Sequence, residues 1–260
     1  MRLFIVLVVG LLIVSGNVES TETQFKVGQK YHDIIGLIKD GVKMSIPLPK
    51  GEWIVTGIGE RPTGRAGGSS TAASFGSRLV DVYLNKIENN VVTGGVTIRY
   101  PLDNDVRGWA APSVCRREAR NYVEEKAWYN GTQTDCWVVS FQPATTNKAG
   151  SAFYRSIQYV QNLGAKFPTL FIYSLFYRAD YSEFLRVGYA VNPESEGVSA
   201  LENSGSFRTA DYHPNRINQY PDKKAFMDKF ISFNRSWKKF IDQGFEGNLN
   251  VADIRRSRTK

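Results

Sequence analysis

Two histidines and two cysteines bound what the 260-residue chain can do chemically. His32 precedes Asp33 and His213 follows Asp211-Tyr212, so each imidazole has a carboxylate near in sequence with which to act as a general base. Ser69 and Ser70 offer hydroxyl nucleophiles, but no serine stands in a Gly-x-Ser-x-Gly elbow, and nothing selects one serine over another. Ser236-Trp237-Lys238-Lys239 contains a Ser-x-x-Lys pattern without the companion motifs that penicillin-recognising enzymes carry downstream. There is no His-Glu-x-x-His run, and Asp103-Asn104-Asp105 reads as a turn rather than a calcium loop. No motif asks for a metal or a cofactor.

Cationic chemistry is better represented. Lys and Arg number 33 against 25 Asp and Glu, a formal charge of +8 that favours anionic surfaces such as lipid headgroups, acidic polysaccharide or nucleic acid. The run Gly64 to Ser70, flanked by Arg61 and containing Arg65, has the composition to aim backbone N–H groups at an anion. It lacks the closing Lys-Ser/Thr of a nucleotide loop, and Gly57-Ile58-Gly59 meets Pro62 where a dinucleotide fingerprint needs glycine. Arg116, Arg117 and Arg120 form a second basic group. Tyr154-Arg155, Tyr177-Arg178 and Phe184-Leu185-Arg186 alternate aromatic with basic residues, as single-strand nucleic-acid binders do. In strands those aromatics serve a core, and an export signal argues against nucleic acid as the partner.

That signal is the layout of residues 1–20: Met1-Arg2, the apolar run Leu3 to Val14, then small residues through Ser20. An apolar run of about 12 residues is short for a bilayer span, so a signal peptide is expected, with an N-terminal anchor as the alternative. The mature chain would begin near Thr21, in an oxidising compartment. Leu170 to Tyr177, the other strongly apolar stretch, is short and ends at Arg178, so no transmembrane segment is expected in the mature chain. Cys115 and Cys136, each with a tryptophan nearby, are then read as one disulfide. It would close a loop of about 21 residues and stabilise by roughly 3 kcal/mol. Their spacing is not Cys-x-x-Cys, so the bridge is structural rather than redox-active. Asn130-Gly131-Thr132 and Asn234-Arg235-Ser236 fit the glycosylation acceptor pattern.

The elements that must position these groups can be read from periodicity. Glu52 to Gly59 is a strand, and Leu79–Leu84 and Val91–Tyr100 form a hairpin around Asn89-Asn90. Val80, Val82 and Leu84 alternate with Asp81 and Tyr83, as Val96 and Ile98 do with Thr97 and Arg99. Arg116 to Trp128 has helical spacing with a stop at Asn130-Gly131, and Cys136 to Phe141 is a strand. A helix with Ala152, Ser156, Tyr159, Val160 and Leu163 on its buried stripe ends at Gly164. Thr169 to Tyr177 and Phe184 to Val191 are strands at the centre of the sheet. Pro221 to Gly244 is a helix with Phe226, Phe230, Phe233, Trp237 and Phe240 facing the core and Lys223, Lys224 and Lys238 on its polar side. The same helix also has the composition of a basic amphipathic membrane-surface segment.

Gly108-Trp109, Cys115-Arg116 and Asp135-Cys136-Trp137, following Gly51-Glu52-Trp53, resemble the layout of uncharacterised exported bacterial proteins over residues 45–140. The resemblance implies a periplasmic or secreted setting and brings no activity, cofactor or catalytic residue. The expected architecture is α+β: an antiparallel sheet of about five to seven strands packed by two or three helices, with one disulfide. Residues 21–250 form its single domain and 251–260 a basic, flexible tail. The expected function is that of a noncatalytic, envelope-associated binding protein for an anionic envelope component or acidic polymer. Its ligands would be held by Arg61, Arg65, Arg116, Arg117 and Arg120. A hydrolase using His32 or His213, and a membrane-surface protein using the helix 221–244, are the alternatives.

Overall fold

A computed structural model describes residues 24–39, 42–62, 78–102, 109, 121–129, 133–144, 149–180, 183–200 and 210–258. Its strands are β1 (Lys30–Tyr31), β2 (Ile34–Lys39), β3 (Val42–Pro47), β4 (Trp53–Pro62), β5 (Arg78–Glu88), β6 (Val91–Pro101), β7 (Val123–Tyr129), β8 (Gln133–Pro143), β9 (Leu170–Ala179) and β10 (Phe184–Val191). Its helices are α1 (Ala152–Asn162), α2 (Pro221–Phe245) and α3 (Val251–Ser257). The fold is α+β, and its strands pair antiparallel throughout.

Eight strands make one sheet in the order β1-β4-β5-β6-β10-β9-β8-β7, and β2-β3 form a separate hairpin. Apart from the two-residue β1 the large sheet has seven strands, at the upper end of the five to seven expected. Two meanders compose it, and they meet along the β6–β10 seam. Within the first meander, Asn89 and Asn90 have φ of 53° and 58°. Asparagine tolerates that left-handed backbone, which a two-residue hairpin turn needs to match strand twist.

Alternation gives the sheet two different faces. Val80, Val82 and Leu84 on β5, Val96 and Ile98 on β6, Val187 and Tyr189 on β10, and Phe176 on β9 are buried in one core with Trp237, Phe240 and Ile241 of α2. Tyr189 donates its hydroxyl to the Pro47 carbonyl at 2.7 Å, tying the sheet to β3. Gly244 brings the α2 backbone so close to the Ser45 carbonyl that no Cβ would fit between them. The opposite face carries α1 over β4 and β5, and leaves the strands beside them partly open.

Three expectations are corrected. Val123 to Tyr129 is strand, not the end of a helix. The helical spacing there is overridden by pairing with β8, and the Asn130-Gly131 stop lies outside the described residues. The C-terminal tail is helix α3 rather than a frayed end. Asn250 caps it by accepting from the Ala252 N–H at 2.9 Å, and Ile254 is buried. Arg255 pairs with Asp33 at 2.7 Å, and Arg258 binds both Asp33 and the Leu48 carbonyl. Hydrogen bonds from Arg255, ahead of those from Arg258, hold the Asp33 carboxyl below its ordinary value. Finally, the buried face of α2 is Lys223, Met227, Asn234, Trp237, Phe240, Ile241 and Gly244. Phe233 is 42% exposed and stacks on Trp237 instead. Asn234 is fully buried and donates to the Phe230 carbonyl, which removes it as a glycosylation acceptor.

Lys223 was expected on the polar side and is instead buried with Asp211, Nζ to Oδ2 at 2.7 Å. The Ala200 carbonyl at 3.3 Å and the rings of Tyr212 and Tyr220 complete its surroundings. Removing one member of a buried pair strands the other charge, so Lys223→Ala is expected to cost about 3–5 kcal/mol in urea unfolding. Lys224→Ala, in an exposed pair with Asp228, should change stability by less than about 0.5 kcal/mol. Equal effects of the two substitutions would contradict this packing.

Candidate functional site

The open face of the sheet holds a cavity of about 620 Å³ between the strands and α1. It follows from register. Asp81 on β5 lies opposite Arg99 on β6, and Arg99 lies opposite Arg186 on β10, so three charged residues form one row across the seam of the two meanders. Arg61 approaches from β4, two residues beyond Gly59, which is opposite Asp81.

Asp81 divides its carboxylate between two neighbours. Oδ1 is 2.5 Å from the Arg99 Nε and Oδ2 is 3.4 Å from the Arg61 Nε. Both contacts use Nε, and the terminal Nη groups of these arginines make no hydrogen bond to a described residue. Arg186 makes no ion pair or hydrogen bond with a described residue. Three guanidinium groups therefore face one carboxylate among the described residues that line the cavity. Burial, followed by the neighbouring charge of Arg99, pushes the Arg186 guanidinium down to about 10, so it stays cationic at neutral pH. Burial and Arg99 also lower Arg61, and burial raises the Tyr83 phenol beside them.

The floor beyond the arginines is made of Thr97, Gly95, Gly188 and Ala190. Gly188 has no room for a side chain, since a Cβ would come within 2.5 Å of Thr97 Oγ1. One wall is aromatic: Tyr83 packs on Phe153 of α1 at 5.4 Å between ring centroids, Phe153 on Phe167 at 5.9 Å, and Phe167 on Phe171 at 5.6 Å.

Helix α1 is held against this face by a buried polar knot. A bulge between Val55 and Gly57 turns Thr56 out of the ladder. Asn85 donates to the Thr56 hydroxyl at 2.6 Å and to the Ser156 hydroxyl at 2.9 Å, while Thr56 donates to the Tyr83 carbonyl at 3.2 Å. Glycine at 57 lets the Ala152 carbonyl sit directly on β4, where any Cβ would collide with it. Ser151 caps the helix by accepting from the Tyr154 N–H, as Ser and Asp commonly do.

Of the arginines expected to bind ligand, only Arg61 falls among the described residues, and it lines the cavity. Arg65, Arg116, Arg117, Arg120, Cys115, Ser69 and Ser70 lie outside them. Cys136 is buried on β8 beside Trp109, Val138, Tyr177 and Phe184. His32 is exposed near Glu52 at 3.8 Å, and His213 uses Nδ1 to accept the Asn215 N–H; neither lines the cavity. Among the aromatic–basic pairs, Arg155 donates to the Ile58 carbonyl and Arg178 pairs with Asp242 and Glu246 of the α2 segment. Arg186 alone of these reaches the cavity. Asp81, Arg99 and Arg186 had one visible signal: each is a charge in the outward phase of a strongly alternating strand. Among the described residues no helix is long and apolar enough to cross a membrane. Compared with protein-family models, curated proteins and solved structures, the chain matches none.

Overpacking against a fixed backbone typically costs about 1–3 kcal/mol, and Gly57→Ala should lose that much in urea unfolding. Gly36, whose added Cβ would meet nothing within 4 Å, should tolerate alanine with little change. If Gly57→Ala is as neutral as Gly36→Ala, α1 is not seated on β4 as described.

Proposed function

We propose that this chain is an exported, noncatalytic binding protein for anionic ligands, and that the arginine-lined cavity is its binding site. One observation carries the reading: Arg186 is a half-buried guanidinium opposite a second guanidinium, makes no hydrogen bond or ion pair with a described residue, and shares the one carboxylate of the described lining, Asp81, with Arg99 and Arg61. Like charges facing each other across strands destabilise a sheet, and burial adds a desolvation cost. An anion seated on the row offsets both. The net charge of +8 draws such ligands in, and the Nη forks of Arg61 and Arg99, which bond to no described residue, suit the paired oxygens of a carboxylate or phosphate.

The export assignment rests on the layout of residues 1–20 and on the disulfide proposed between Cys115 and Cys136. An anionic component of the cell envelope is then the natural ligand. The histidines give the hydrolase alternative no support, because neither lines the cavity. The membrane-surface alternative loses its apolar face to the core, where Trp237 and Phe240 of α2 are buried.

Arg186→Met separates a binding residue from a structural one. Inorganic phosphate, titrated calorimetrically at constant ionic strength, should bind at least tenfold more weakly to the variant. Stability should meanwhile rise by about 1 kcal/mol, since a buried charge has been replaced by an apolar side chain of similar length. Unchanged binding, or a fall in stability, would refute the assignment. Loss of binding on charge reversal at Arg65 or Arg116, with Arg186→Met silent, would move the site to the loops.

The pH dependence has a definite sign. Arg186 is protonated near neutrality and loses its proton as pH rises through about 10, so affinity for acetate, whose own charge is constant over this range, is level around pH 7 and falls toward that value. For stability the direction is opposite. A cation whose folded value lies below its unfolded one costs the fold stability throughout the lower range, and the cost is relieved as pH climbs above about 10. Wild-type protein should show both trends relative to Arg186→Met.

A further inference from the structure

The cavity is polarised along the strands. Its charged row is Asp81, Arg99 and Arg186, the next row holds Thr97 and Gly188, and the third holds Gly95 and Ala190. Successive lining residues on a strand lie two positions apart, so the first and third rows are separated by about 14 Å at 3.4 Å per residue. Small side chains clear that length of floor. Aromatic rings from Tyr83 through Phe153 and Phe167 to Phe171 run beside it without a break. The polar groups Asn85 and Ser156 at this end are bonded to each other and to Thr56. No charged residue among the described ones lines the cavity outside the arginine end.

Resting on the anion-binding reading above, we infer that the ligand is a single-chain amphiphile whose carboxylate or phosphate head sits on Arg99 and Arg186 while its apolar tail lies along the glycine floor against the aromatic wall. A compact anion such as inorganic phosphate would satisfy the charged row and leave the trough unused. An amphiphile uses both halves: charge–charge attraction fixes its head and area burial holds its tail. The tail contributes most of the affinity, and the arginines set which end enters.

The test is a calorimetric series of straight-chain carboxylates from acetate to decanoate, below their micellar concentrations, on the full chain at fixed ionic strength. Each added methylene should tighten binding by about fourfold until the trough is filled, after which the gain stops. Ala190→Leu, placed on the floor two rows from the arginines, should flatten the series while acetate and inorganic phosphate bind as before. Decyl phosphate in place of decanoate tells which head is preferred, and either preference supports the inference. If affinity does not depend on chain length while phosphate binding still requires Arg186, the amphiphile inference falls and the anion site stands. If Arg186→Met binds decanoate as tightly as the wild type does, or decanol binds as tightly as decanoate, the anion reading itself falls.

Discussion

Two guanidinium groups set opposite each other across a pair of strands, with one carboxylate between three of them, are the constraint around which the open face of this sheet is arranged. In a strand pair chosen for stability alone, those positions would hold opposite charges or neutral partners. Asp81 answers only part of the excess, binding Arg99 and Arg61 through Nε and leaving their terminal groups unused by the described residues. A local conflict of this kind, inside a sheet whose other rules are obeyed, is where a functional site is expected.

The rest of the fold absorbs that conflict. The opposite face of the same strands is a dense apolar core closed by α2 and the β2–β3 hairpin, with Trp137, Tyr212 and Trp237 almost wholly buried. Burial of each such ring contributes on the order of 1.5–3 kcal/mol, so one unbalanced charge can be carried on the other face. Rigidity comes from the same source. Thr56, Asn85 and Ser156 lock α1 to the sheet, and the Asp33 clamp on Arg255 and Arg258 fixes the C-terminal helix to the hairpin region.

Local pattern carried much of the fold in advance. Alternation in Val80–Leu84 and Val96–Ile98, the Asn89-Asn90 turn, and the apolar stretch now in β9 each specify an element without help from distant residues. Where it failed, the partner that an element meets in the fold decides. Val123 to Tyr129 has helical spacing, but pairing with β8 makes it a strand. Lys223 reads as a surface lysine until Asp211 supplies a buried counter-ion. Arg255 and Arg258 read as a loose basic tail until Asp33, more than 200 residues earlier, is placed beside them. The candidate site failed for the same reason. Arg61 was singled out because glycines follow it, whereas Asp81, Arg99 and Arg186 become a group only when β6 pairs with β10, and no run of sequence shows that seam.

The most direct test is to watch the arginine side chains themselves. In nitrogen-edited NMR spectra of the Nε–H groups, addition of octanoate at constant ionic strength should move the Arg61, Arg99 and Arg186 signals along one saturable curve and leave surface arginines such as Arg256 in place. Small, unsaturable shifts spread evenly over all the arginines would mean general charge screening, and would contradict a binding site on this face of the sheet.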